Sequence, residues 1–434
     1  MKIKFLHMEN YRCFSDLKVN FGGQLAVLVG VNGSGKTAIL DALALFLQMY
    51  AENFIHYPKA LGLPSSSLKM GQSNICLSCR IAEDRLLSPT NRRNYFDATL
   101  KLEKNVMNDE YLKIDVNNNN FNVLGDFYKK NNIQDYFPIC VYYTSKRVLD
   151  ASERKTESKS NKMYAYGNAF SPQIDFSSAL AWFISKASEE ALEGQRRKNL
   201  EYKISELTAV RRAVALALGR YGEPFVAETP PKLFIAPEGQ PTEFYRIEQL
   251  SDGYRTMLAL VMDLARRMAI ANDHMALNDD QAILRSPGVV LIDEVELHLH
   301  PSWQQTVLPR LMDIFPNVQF IVTTHSPQVL TSIPAKHIRV LKDGYVFTLP
   351  DNEETEGADA ARILEDVLGV NPRPIPNYFA RELNRYAEMV YNEKWDSPEA
   401  EELRLMLEKH YRGSEPKLQE LELHIENSKW ERGL

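Results

Sequence analysis

The eight residues Gly30-Val-Asn-Gly-Ser-Gly-Lys-Thr37 constrain this chain more than any other segment, because they match G-x-x-x-x-G-K-[ST] without deviation. They follow the apolar run QLAVLVG and precede TAILDALALFLQMY, a strand-to-helix setting. Phosphates carry dense negative charge; a glycine-rich turn lets backbone N–H groups approach them closely, and the helix N-terminus adds its dipole. The loop predicts a phosphate-binding surface formed by Asn32, Gly33, Ser34, Gly35, Lys36, Thr37 and Ala38, with ATP as the expected nucleotide. Lys36 is expected to reach the β and γ phosphates and the Thr37 hydroxyl to reach magnesium.

Three further segments carry chemistry that belongs with such a loop. Val289-Val-Leu-Ile-Asp-Glu294 reads as a buried strand ending in two acids, where the carboxyl edge of a doubly wound sheet would face phosphates. Asp293 is expected to hold magnesium and Glu294 to polarise the attacking water. Leu250-Ser-Asp-Gly-Tyr-Arg255 precedes a helix, so Ser251 with the amides of Asp252 and Gly253 predicts a second anion site, which a serine cap would equally explain. Val322-Thr-Thr-His-Ser-Pro327 ends a strand on His325, expected to hydrogen-bond the γ-phosphate or the attacking water.

The rest of the chain organises around these motifs. The segments KIKFLHMENYRCF and LKVNF read as short β runs, residues 73 to 82 and 95 to 103 alternate apolar with polar, and Asn117 to Asn120 reads as a hairpin turn, together an inserted antiparallel layer. PICVYYTS is a further buried strand, and SERKTESKSNK after it a loop. Between 177 and 218 the pattern is helical: Leu200, Ile204, Leu207, Val210, Val214 and Leu218 step by three or four, with Gly219 as the stop. KLFIA and EFYRIEQL read as strands, then come a helix from about Gly253 to Asn272, GVVLIDE, a helix from Ser302 to Phe315, and VQFIVTTH. Strands alternating with helices predict an α/β fold with a mostly parallel sheet. The 434 residues are too many for one small module, and motif order assigns 1–350 to a single head, interrupted at about 150–220, with 351–434 as a helical module.

Composition adds exclusions. A formal charge of -6 does not announce a nucleic-acid binder. No run approaches the roughly 18 to 20 apolar residues that span a bilayer, the start lacks a signal-peptide core, and four cysteines are too few for a disulfide scaffold. These features predict a cytoplasmic protein without a membrane partner. Cys76 and Cys79 form a lone CxxC, and His298 and His300 are spaced as a metal pair, but neither has a completing pair in the sequence.

Together GVNGSGKT, LSDGYR, VVLIDEVELHLHP and TTHSP resemble the P-loop NTPase head of ABC-type ATPases, the class holding SMC, RecF, Rad50 and OLD proteins. The resemblance covers about residues 1 to 345. More narrowly, LSDGYRTMLALVMDLARRMAIAN, VVLIDEVELHLHPSWQQ and FPNVQFIVTTHSP resemble the short ATPases of bacterial anti-phage systems, the Septu ATPase PtuA and its retron-associated relatives. The resemblance implies head-to-head dimers or higher oligomers, in which Ser251 of one subunit closes on nucleotide held by Lys36 and Asp293 of the other. It implies that Arg12 approaches the phosphates and that Glu296 to Pro301 faces the dimer partner. Gln72 is the candidate for the glutamine loop. The family departs from this chain in two ways. The helical part of the insertion is only about forty residues, excluding a long coiled-coil tether, and the tail after Gly357 shows neither a DxD nor a histidine-asparagine cluster of a nuclease.

The expected function is thus an ATPase subunit of an anti-phage defence complex, whose ATP-dependent dimerisation gates an HNH-type nuclease from another chain. A retron reverse transcriptase with its RNA/DNA is a further expected partner. The alternative is a RecF-like DNA-maintenance ATPase that binds duplex directly, through basic runs such as KRVLDASERKTESKSNK and GQRRKN. A transporter's nucleotide-binding subunit shares the chemistry but not the inserted layer or the tail. The tail helices are expected either to close the head's core or to bind a partner, with Trp395 and Trp430 as candidate contacts.

Overall fold

The computed structural model describes residues 1–52, 65–83, 94–104, 112–115, 137–145, 162–171, 176–240, 242–277, 281–350, 353–374 and 376–431. The expected hairpin turn at Asn117 to Asn120 and nearly all of the SERKTESKSNK loop lie outside these residues. The chain divides into two compact units, Met1–Ile363 and Leu364–Leu434.

In the first unit, strands β1 (Lys2–Tyr11), β2 (Phe14–Asn20), β4 (Asn74–Glu83), β5 (Asn94–Lys104) and β6 (Leu112–Asp115) form an antiparallel sheet of order β2-β1-β4-β5-β6. The second sheet is built from β3 (Leu25–Gly30), β7 (Ile139–Tyr143), β11 (Gly288–Ile292), β12 (Val318–Thr323), β13 (Ile338–Lys342) and β14 (Tyr345–Thr348), in the order β14-β13-β3-β12-β11-β7. All its pairings are parallel except β13 with β14. β3, β7, β11 and β12 are buried along their whole length, as a parallel sheet covered on both faces requires.

Helix α1 (Lys36–Glu52) shares one apolar cluster with both sheets: Ile39, Leu43, Phe46 and Leu47 pack with Leu6 and Leu77 of the antiparallel layer and with Leu28, Leu291 and Ile321 of the parallel one. A helix apolar all round is what this position demands. The side chain of Gln319, fully buried on β12, accepts from the N–H and donates to the carbonyl of Ile3, tying β1 to the parallel sheet.

The insertion supplies α2 (Phe176–Arg197) and α3 (Ser205–Leu218), which pack with α4 (Asp252–Ala271). Leu200 departs from its expected place in a helix: it is exposed in the turn between α2 and α3, because α3 starts only at Ser205, after Ile204 in extended conformation. Gly219 ends α3 with φ of 64°. A small three-stranded sheet comes next, of β8 (Phe225–Ala227), β9 (Lys232–Ile235) and β10 (Tyr245–Arg246), so the expected strand in EFYRIEQL shrinks to two residues before a 3-10 turn. The expected helix from Ser302 is split into α5 (Pro301–Gln304) and α6 (Val307–Ile314). Helix α7 (Pro327–Leu330) comes after β12.

After α8 (Ala360–Asp366), the second unit contains α9 (Tyr378–Tyr391), α10 (Pro398–Tyr411) and α11 (Pro416–Glu431). Asn377 and Ser397 cap the first two, accepting from Ala380 N–H and Ala400 N–H. Leu383, Tyr386 and Val390 pack against Leu403, Leu407, Leu421 and Ile425, so these apolar faces close on one another. Trp395 packs against that core, while Trp430 is 83% exposed.

Candidate functional site

In a parallel sheet the carboxyl ends of neighbouring strands open onto one edge. β3, β12 and β11 are adjacent, so the loop after Gly30, the turn after Thr323 and the acids after Ile292 are brought to the same edge. The register pairs Ile292 with Val322, which places Asp293 beside Thr323.

The phosphate loop is shaped by close backbone approach. Gly35 has φ of 97°, and a Cβ there would lie 2.3 Å from the Phe14 ring and 2.8 Å from Cys13 Sγ. Only glycine fits. Lys36 is buried, and its ammonium donates to the carbonyls of Gly30 at 2.9 Å and Val31 at 3.0 Å. Burial lowers its pKa, opposed by the carboxylates of Asp293, Glu294 and Glu296. Ser34 Oγ is buried without a hydrogen-bond partner, Asn32 and Gly33 are exposed at the loop's crest, and Ala38 is buried on α1.

Thr37 donates to the Asp293 carboxylate at 3.1 Å, and Asp293, 2% exposed, also accepts from Thr323 Oγ1 at 2.6 Å. The same Thr323 hydroxyl accepts the Glu294 N–H at 2.7 Å. Glu294 has φ of 49°, so the chain turns sharply where the strand ends. These residues fit a magnesium nucleoside triphosphate: a lysine inside a loop of amides, an unpartnered serine hydroxyl, and a threonine and carboxylate supplying the oxygen ligands that a hard cation takes. His325 is half-buried, and burial followed by the Lys36 charge pushes its imidazole below its ordinary value. Its backbone N–H donates to Glu296 Oε1 at 2.6 Å.

Arg12, which the resemblance brings toward the phosphates, pairs with an acid of α1. With φ of 52° in the turn between β1 and β2, it binds Asp41 of α1 at 2.6 Å, and Asp41 accepts from Tyr142 OH at 2.9 Å. Ser251 precedes α4, exposed, and its side chain makes no capping bond, so the serine-cap alternative is not what the fold uses. Asp252 is exposed and paired with Arg255. Gly253 rests on the segment after the acids: a Cβ would lie 3.3 Å from His298 O and 3.7 Å from His300 N. Tyr254 adds an edge-on contact to Trp303 at 4.8 Å between ring centroids. His300 spends its Nδ1 capping α5, on Ser302, and Cys76 and Cys79, three apart on β4, fall on opposite faces of the strand. Among the described residues no group of three or more His, Cys, Asp or Glu side chains is arranged for a metal ion. Gln72 lies in the turn before β4.

Two residues of the site carry no role in the motifs: Thr323, which bonds to both acids, and Glu296, expected only as the start of the dimer-facing segment. Thr323 had a signal: it is the last residue of an apolar strand, one place beyond the partner of Ile292.

A family model described as "AAA domain, putative AbiEii toxin, Type IV TA system" matches residues 142–331, and one described as "AAA ATPase domain" matches residues 1–166. The Retron Ec83 probable ATPase of Escherichia coli is 28% identical across 99% of this chain and 88% of its own length. The Retron Vc95 probable ATPase of Vibrio cholerae serotype O1 biovar El Tor is 24% identical across 95% and 88%. The Septu protein PtuA of Bacillus mycoides (strain KBAB4) is 25% identical across 82% of this chain and 41% of its own length.

Proposed function

We propose that this chain, an AAA-type ATPase related to the retron ATPases and to Septu PtuA, serves anti-phage defence as a nucleotide-gated subunit. The relatives' names support the place in defence, and one observation supports gating: Ser251 stands exposed with an uncommitted hydroxyl at the start of α4, while Lys36, Thr37, Asp293 and Glu294 gather at the sheet edge. In this reading each site is completed by a second copy, whose Ser251, Asp252 and Gly253 meet the phosphates of ATP held by Lys36.

Roles derive from chemistry. The amides of Asn32 to Ala38 and the Lys36 ammonium would bind phosphate oxygens, and Thr37 with Asp293 would hold magnesium. Magnesium, when bound, supplies charge neutralisation to the phosphates. Glu294 takes the proton of the attacking water, Thr323 holds its backbone in place, and His325 orients toward the γ-phosphate. Dimer closure would then present a changed surface to an HNH-type nuclease carried by another chain, with a retron reverse transcriptase as a further component. The DNA-binding alternative draws little support from GQRRKN, where Arg196 and Arg197 both pair with Glu193 and Arg197 also lies over Tyr202.

Mixing two inactive variants tests the shared site. In an equal mixture of Lys36→Ala and Ser251→Arg chains each mixed dimer keeps one intact site of two, so ATPase activity that neither variant has alone should return, up to roughly one half of wild type. A mixture no more active than either variant alone would remove the shared site. Full phage protection by this chain without any nuclease partner would remove the gating role.

A further inference from the structure

Glu296 takes no part in the roles above, yet it stands three residues beyond Asp293 at the same sheet edge. Its carboxylate is engaged on one side only. Oε1 accepts the His325 backbone N–H at 2.6 Å, across 29 residues of sequence, whereas Oε2 is buried and has no hydrogen-bond partner. A carboxylate oxygen withdrawn from water with nothing donating to it is disfavoured. Stability alone therefore does not account for an acid at this position, since a glutamine would keep the bond without burying a charge. The neighbouring hydrogen bonds hold Ser326 and not His325 itself: Ser326 N–H donates to Thr324 Oγ1 and Ser326 Oγ to Gln304 Oε1. The carboxylate also lies close enough for its charge to act on both the Lys36 ammonium and the His325 imidazole.

We propose that Glu296 is the positioning residue for His325, using one oxygen to fix the backbone where β12 turns out toward the phosphate loop. It acts through His325, without touching the nucleotide. The inference rests on the reading of His325 given under Proposed function.

The test is a double-mutant cycle on the full chain, with steady-state ATP hydrolysis and thermal unfolding as readouts. Glu296→Leu should lower kcat about tenfold, as expected for the loss of one such interaction in the transition state, with KM for ATP unchanged. Its Tm should change little, because losing the acceptor of the His325 N–H and removing the unpartnered oxygen act in opposite directions. Glu296→Gln, whose amide oxygen still accepts, should hold kcat within about twofold of wild type. In a His325→Ala background, Glu296→Leu should have no further effect. An equal loss in that background, a Glu296→Gln variant as impaired as Glu296→Leu, or a fall in Tm large enough to unfold the variant at the assay temperature would each overturn the proposal. If His325→Ala itself leaves turnover unchanged, the reading of His325 fails, and the anchor is judged by hydrogen exchange of the His325 amide. Protection should vanish in Glu296→Leu and persist in Glu296→Gln; equal protection in both would overturn it.

Discussion

Replacing Thr323 by valine isolates the hydroxyl that serves both acids. Valine keeps the β-branched shape of a residue that is 0% exposed on β12, so the cavity contribution that accompanies most core substitutions is small. Two interactions are lost. The Asp293 carboxylate loses its 2.6 Å donor, and the Glu294 N–H loses its 2.7 Å acceptor. A hydrogen bond to a charged group contributes about 1.5–3 kcal/mol, and a buried amide left unpaired costs about 1–3 kcal/mol. Thr37 at 3.1 Å still donates to Asp293, which keeps the expected loss at about 2–4 kcal/mol. Urea unfolding of the nucleotide-free chain measures it, with Thr323→Ser as the control that keeps the hydroxyl and forfeits only about 1 kcal/mol for a methyl group. Magnesium-ATP affinity should fall in the valine variant and hold in the serine variant. A valine variant within about 1 kcal/mol of wild type would refute the argument that this hydroxyl organises the strand end.

Three further outcomes are expected. Gly35→Ala should abolish nucleotide binding measured by a fluorescent ATP analogue, since the new Cβ would meet the Phe14 ring at 2.3 Å; retained binding would contradict the close approach. The His325 imidazole, held below its ordinary value by burial and then by Lys36, should titrate by NMR below pH 6.5, and Lys36→Ala should raise its midpoint. Because the unfolded chain protonates first, this histidine should cost stability as pH falls below 6.5, and a folded midpoint at or above 6.5 would contradict the assignment. Burial opposes the charge of Asp263, but Arg267 and Arg266 outweigh it and bring the carboxyl to about 2. Asp263→Asn should therefore destabilise the neutral-pH protein by about 3–5 kcal/mol by stranding buried guanidiniums. Since the folded value is depressed, the gap between variant and wild type should be full above the ordinary 3.8 and shrink as pH falls toward 2, and a gap constant with pH would contradict it.

The order of the motifs, the apolar strand runs and the strand-loop-helix context of Gly30 to Thr37 were legible because each depends on local pattern or on covalent neighbours. The placements that escaped depend on partners far along the chain. Thr323 acquires its role only once β12 lies beside β11, and Glu296 only once the turn after β12 comes within reach. The resemblance of Arg12 to a first-strand arginine says nothing of Asp41, with which its guanidinium pairs. Leu200 fitted helical spacing by chance, since periodicity cannot see that the chain leaves α2 after Arg197 and re-enters only at Ser205. β13 and β14 gave no chemical motif, yet β13 completes the far side of β3 and its Leu341 carbonyl crowds Gly30 to 2.5 Å from a would-be Cβ.

The shared nucleotide site is tested most directly by the native mass of the Glu294→Gln chain in saturating magnesium-ATP. That variant keeps Lys36, Thr37 and Asp293, proposed to hold nucleotide, but lacks the carboxylate proposed to take the proton, so closure should persist. The account predicts a mass twice that of the 49.7 kDa chain, or a multiple of that dimer, with one ATP per subunit, and collapse of the dimer in Ser251→Arg. A nucleotide-loaded monomer would contradict it.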